Sequence, residues 1–169
     1  MNAGLVEVLR YNRWANLTLL EACRELTADQ LRTQPPAISD TMAALLMHLV
    51  GGQQTFVLRT KGRQHEGELN RDSAWPGMDA IIKIARTTSD ELIAIAEAFE
   101  DTEVGLPYMG KSFRYPVRFF LTHAVAHGAE HRTEIKIALL QLGIKTPDLD
   151  AWQFAEAMGY GAEIESPQP

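Results

Sequence analysis

Apolar residues recur along this chain at alternating steps of three and four, the spacing that lines one face of a helix. The first such stripe is Leu5, Val8, Asn12, Ala15, Leu19, Ala22 and Leu26, with Asn12 as its polar exception. Thr27 followed by Gln30 reads as a capping box that opens a short helical turn, closed by Pro35-Pro36. A second long helix is expected from about Asp40 to Thr60, capped by Ser39 or Asp40. Its apolar surface is Met42, Leu45, Leu46, Leu49, Phe56 and Val57, and His48 sits in the middle of that run. Residues 61–77 are rich in charge, Gly and Asn and read as a surface loop. Ile81, Ala85, Thr88, Leu92, Ile95 and Phe99 mark a third helix over about Asp79 to Phe99. Residues 100–115, with Gly105, Pro107 and Gly110, suggest a short extended excursion. Pro116 then opens a fourth helix that Gly143 ends as a left-handed cap. Leu149 to Met158 make a short terminal helix, and the tail from about residue 160 frays. Four long helices without an internal repeat predict an all-α fold, an antiparallel four-helix bundle, as one domain over residues 1–169.

Composition narrows the function classes. Sixteen basic against 22 acidic residues give a net charge of −6, which disfavours phosphate backbones and anionic lipid. The one basic cluster, Arg59, Lys61 and Arg63, is too small to argue nucleic-acid binding. No stretch approaches the roughly 20 apolar residues of a membrane span, and the charged first 25 residues do not read as a signal peptide. Cys23 is the single cysteine, which fits a reducing cytoplasm; its place beside the first stripe reads as a small buried hydrophobe. Trp14, Trp75 and Trp152 are too scattered for a base-stacking platform and are assigned to core or interface packing. No nucleophile elbow, Walker-type phosphate loop or dinucleotide-binding turn is present.

The informative chemistry is in the fourth helix, where three of five histidines, His123, His127 and His131, fall four apart. Imidazoles at that spacing share a helix face and can present nitrogens to one metal ion. Each step of four overshoots a turn by about 40°, so the three are not equivalent. The stripe Val117, Phe120, Ala124, His127, His131, Ile135, Ala138 and Leu142 includes the last two and skips His123. His127 and His131 are therefore assigned as metal ligands and His123 to the edge of the site. His48 is the best-placed third ligand, ahead of His65 in the loop. Glu130 and Glu134, each three residues beyond a ligand histidine, are candidate orienting groups or proton acceptors. Asn12 is a candidate pocket residue or a buried hydrogen-bonding one. Gly51-Gly52 costs the second helix roughly 1 kcal/mol per residue relative to Ala, which close helix approach or room beside the metal would explain.

These residues resemble the DinB family, within the DinB and YfiT-like superfamily of metalloenzymes, unrelated to the DNA polymerase that shares the first name. Tyr11-Asn12-Arg13-Trp14-Ala15-Asn16 resembles its first-helix motif, and His48-Leu49-Val50-Gly51-Gly52 followed by Gly62 its second-helix segment. His123 to Arg132 resembles its fourth-helix signature, and Gln141-Leu142-Gly143 with Pro147, Asp148 and Trp152 its ending. The resemblance implies a variant of up-and-down topology, frequent homodimers and a divalent metal held by His48, His127 and His131. Glu134 departs from the pattern, since Gln is commoner there. Related members include transferases and isomerases that use a low-molecular-weight thiol.

The functional expectation is a divalent-metal-dependent enzyme of hydrolase or thiol-transferase type. Water or a thiolate activated by the metal would be the nucleophile, and Glu130 or Glu134 the proton acceptor. Zinc or nickel leads among the metals, with iron or copper also compatible with three imidazoles. The competing expectation is a non-catalytic, stress-response homodimer in which the metal is structural. An open coordination position beside a pocket favours the enzyme. The partners expected are a small-molecule substrate and a second copy of the chain, with no nucleic acid and no membrane.

Overall fold

The computed structural model describes residues 3–161 except 37, 64–68, 99 and 101. Its elements are α1 (Ala3–Ala22), α2 (Ala28–Arg32), α3 (Met42–Thr60), α4 (Met78–Glu97), β1 (Glu103–Tyr108), β2 (Lys111–Pro116), α5 (Val117–Gln141) and α6 (Ala151–Ala157). The capping box at Thr27 is present, with both reciprocal bonds to Gln30. The cap of α3 is Thr41, one residue beyond the expected Asp40, and its hydroxyl accepts from the Ala44 N–H. Pro116 stands at the N-cap of α5, and Gly143 past its end has φ 73°. The tail beyond Gly161 and His65 lie outside the described residues.

The expected extended excursion is an antiparallel hairpin, with Glu103 opposite Pro116 and Tyr108 opposite Lys111. Its turn residues Met109 and Gly110 both have positive φ, as a two-residue turn matched to strand twist requires. Leu106 on β1 is buried against Phe120, Leu121 and Phe56, so the hairpin closes one end of the bundle.

Two apolar clusters fill the bundle. One joins Ala15 to Cys23, Met42 to Val50, Ile81 to Ala85 and Ile135 to Leu139; the other joins Val6, Leu9, Val57, Leu92, Ala96, Phe120 and Ala124. Their membership gives the direction of each long helix. α1 and α5 run from the second cluster to the first, whereas α3 and α4 both run the opposite way. The parallel pair α3 and α4 is joined by residues 61–77, of which Leu69 is buried in the first cluster. Neighbours around the bundle are α1, α4, α3 and α5, with α1 diagonal to α3 and α4 to α5. This order is a variant of the simple up-and-down bundle.

The α1 stripe is shifted from its expected face. Val8 is 45% exposed, while Val6 and Leu9 are buried, because steps of three and four chosen one way drift from the true contact line. Asn12, Ala15 and Leu19 remain buried as expected. Trp14 and Trp75 pack partly against the first cluster, whereas Trp152 is exposed. Among the described residues no helix is long and apolar enough to cross a membrane.

Candidate metal centre

A polar layer separates the two apolar clusters at mid-height, and the histidines belong to it. His48 projects from α3, and His127 and His131 from α5, which runs antiparallel to α3. One nitrogen from each ring lies within 4.8 Å of the other two. Nε2 of His48 and Nε2 of His127 are 3.3 Å apart. Two nitrogens each about 2.05 Å from zinc at the tetrahedral angle are about 3.3 Å apart, so the donor spacing fits a divalent ion. The rings of His48 and His131 are edge-on at 4.4 Å, and those of His127 and His131 at 4.3 Å.

The third ring is held from behind. His131 Nδ1 lies 2.6 Å from Glu134 Oε2, which leaves Nε2 as the nitrogen directed at the cluster. A carboxylate on the outer nitrogen fixes tautomer and ring orientation and raises ligand basicity. Glu130 is exposed and, among the described residues, makes no hydrogen bond to the three rings. Of the two carboxylates expected near the site, Glu134 is the one brought to it, and it faces the His131 ring.

Burial keeps two of the rings neutral. His48 is pushed down to about 4, first by burial and then by the Arg71 guanidinium and His131. His127 falls to about 3, again mainly through burial, with its histidine neighbours adding. Both therefore carry lone pairs at neutral pH, as metal ligation requires. Arg71 belongs to the loop after α3 and pairs with Asp40 at 2.8 Å, an influence that sequence spacing did not reveal.

The paired glycines have separate reasons. A Cβ at Gly52 would overlap the His127 ring, 2.7 Å from Nε2, while one at Gly51 would overlap the Leu69 carbonyl. Beside them opens a cavity of about 250 Å³ lined by His48, Gly52, Thr55, Phe56, Asn70 and His127 among others. His123 is exposed at the edge, its ring 4.5 Å from Phe56 and 6.2 Å from His127.

Asn12 is not in that cavity. It is buried, and its Oδ1 accepts from Arg132 Nη1 at 2.6 Å. Arg132 also donates to Asn16 Oδ1 at 2.6 Å. Asn16 Nδ2 donates to Gln53 Oε1, and Gln53 Nε2 bonds Thr88, Ser89 and the Ala85 carbonyl. Gly128 makes room for this network, since a Cβ there would lie 2.5 Å from Asn12 Oδ1. Cys23 is fully buried, and burial pushes its thiol up to about 12, as a packing residue rather than a nucleophile requires.

The family model for DinB matches residues 1–165. The chain belongs to the DinB family. A DinB-like protein from Bacillus cereus, known from its crystal structure, shares the fold with a TM-score of 0.64 at 18% identity, covering 87% of this chain and 96% of that one. No curated protein matches the chain significantly. For this DinB-family member, the first-helix and fourth-helix motifs acquire distinct structural meanings. The Asn12 and Asn16 pair of the one grips Arg132 of the other, while His127 and His131 on the same fourth-helix segment face His48.

Proposed function

We propose that this DinB-family protein is a divalent-metal-dependent enzyme of hydrolase or thiol-transferase type. The observation that carries the reading is three converging imidazoles with a cavity of about 250 Å³ on their His48 and His127 side. Among the described residues no fourth histidine, cysteine or carboxylate joins the group, which suits a catalytic rather than a closed site. His48, His127 and His131 would hold the ion, with zinc or nickel favoured by three nitrogen donors. A divalent ion there supplies Lewis-acid chemistry, polarising a carbonyl and acidifying a water or thiol that reaches it.

The chain's own groups prepare that chemistry. Glu134 accepts the Nδ1 proton of His131 and holds that ring in one tautomer. Gly52 keeps the α3 backbone clear of His127. Phe56 and Leu69 give the cavity apolar walls. A small-molecule substrate, a homodimer and a cytoplasmic setting complete the proposal, and a low-molecular-weight thiol is the co-substrate in its transferase form.

Cobalt(II) substitution tests the reading. Visible absorption of the cobalt-loaded protein is expected to shift on titration with 2-mercaptoethanol and with azide, because a three-histidine site admits an exogenous ligand. A cobalt spectrum that neither ligand changes would mark a closed shell and favour a structural ion instead.

A further inference from the structure

Arg59 is the feature of the basic cluster that the site described so far does not use. Lys61 from the same cluster is engaged with Glu91 at 2.6 Å. Arg59, by contrast, has a buried Nε with no hydrogen-bond acceptor among the described residues. An unpaired N–H on a half-buried guanidinium is unfavourable, and an acceptor that draws the side chain toward the cavity relieves it. Arg59 lines a cavity of about 310 Å³ between α3, α5 and the hairpin, with Phe56, Leu106, Tyr115, Phe119 and Phe120 as its walls and His123 at its rim. Among the described residues no carboxylate lines this cavity.

The cavity is a neighbour of the histidine cluster. It shares Thr55 and Phe56 with the smaller cavity beside His48 and His127. His48, Gly52, Phe56 and Arg59 follow at steps of four, four and three along one face of α3. Gly52 to Arg59 spans about 10 Å of helix. Opposite them, His127, His123 and Phe119 descend α5 at steps of four. Phe56 bridges the two, 4.5 Å from the His123 ring and 5.4 Å from His127.

We infer that this cavity is the substrate-recognition pocket and that its ligand is an organic anion with an aryl or branched apolar body, its carboxylate or equivalent acid group accepting from Arg59. The aromatic walls take the apolar body, and the guanidinium of Arg59, with its planar set of N–H donors, takes the acid. Thr55 and Phe56, which line both cavities, stand about one helical turn from Arg59 on α3. The inference rests on the proposed catalytic reading for its name as a substrate pocket, but the anion binding itself needs no metal.

The test is a titration of the full chain, metal-free and zinc-loaded, with 3-phenylpropionate, its neutral amide and inorganic phosphate, followed by amide NMR shifts and calorimetry. The carboxylate is expected to bind the wild type with a dissociation constant on the order of 1 mM or tighter, shifting signals from Phe119 and His123. Arg59→Gln, verified as folded by circular dichroism, weakens it about tenfold or more, and Arg59→Lys less. The amide binds more weakly and is indifferent to Arg59→Gln, and phosphate does not compete. No binding by the wild type, binding insensitive to Arg59→Gln, or phosphate competing as well as the carboxylate would each overturn the inference. Carboxylate binding without metal uptake would sink the metalloenzyme reading alone, and metal uptake without carboxylate binding would sink this pocket alone.

Discussion

The polar layer of the bundle has two halves that differ in how their groups are satisfied. On the α1 side, Arg132, Asn12, Asn16, Gln53, Thr88 and Ser89 form a chain in which each buried amide oxygen accepts from a neighbour. On the other side, three imidazoles turn nitrogens toward one another, and two of them, His48 and His127, line a cavity. Both halves are polar, both occupy core height, and α5 contributes neighbouring residues, His131 and Arg132, to each. A closed network spends its hydrogen-bonding capacity on holding four helices in register. A converging set of like donors leaves capacity directed at a common point, and that is what a ligand site requires.

The sharpest way to break the comparison is to cut the closed half. Arg132 is buried with no carboxylate partner among the described residues, and desolvation lowers its pKa, with the Tyr11 ring 5.8 Å from the guanidinium as a partial compensation. Arg132→Ala strands the Asn12 and Asn16 oxygens and opens a cavity, and is expected to destabilise the fold by about 3 kcal/mol. Urea unfolding measures it, and metal stoichiometry of the surviving folded fraction is expected to be unchanged. A loss of metal at intact stability would mean that the halves are one functional unit.

A smaller effect is expected where the open half meets its support. Glu134→Ala removes the acceptor on His131 Nδ1 and is expected to weaken zinc binding roughly 10- to 100-fold, about 2 kcal/mol, with little change in metal-free stability. Competition with a chromophoric chelator reads the affinity. An unchanged affinity would reduce the Glu134 contact to a surface pairing.

The smallest effect separates the halves by pH. His48 and His127 have folded values of about 4 and about 3, below the ordinary 6.5, so the unfolded chain binds more protons between those limits. Metal-free stability contributed by these rings is therefore complete above about pH 6.5 and falls as pH drops through 6 and 5 toward 4. Urea midpoints of metal-free protein at pH 7 and pH 5 are expected to differ more for wild type than for His48→Gln/His127→Gln. Equal pH dependence in the two proteins would show the rings to be solvated.

Much of this was legible in sequence because it depends on local spacing. The capping box at Thr27, the apolar runs of α3 and α4 and the step of four between His127 and His131 are all set within one or two helical turns. What spacing does not carry is partnership across helices. Asn16 and Gln53 stand 37 positions apart and join only because α1 and α3 meet across the bundle core. Val8 and Val6 are equally apolar, and only the neighbours of α1 decide which is buried. The parallel course of α3 and α4 escaped because residues 61–77 are long enough to return along the bundle or to cap it, and their composition is the same in either case. Glu130 and Glu134 stand in equivalent sequence relations to a histidine, but the three-dimensional face of α5 exposes the first and turns the second to His131.

The central claim is that His48, His127 and His131 together hold one divalent ion. Elemental analysis by plasma mass spectrometry, on protein purified without a histidine tag and on His131→Ala checked for intact helicity, tests it most directly. The account predicts about one zinc or nickel per wild-type chain and its loss from the folded variant. Metal-free wild type that takes up neither zinc nor nickel when they are supplied would contradict it and leave the three histidines as packing residues.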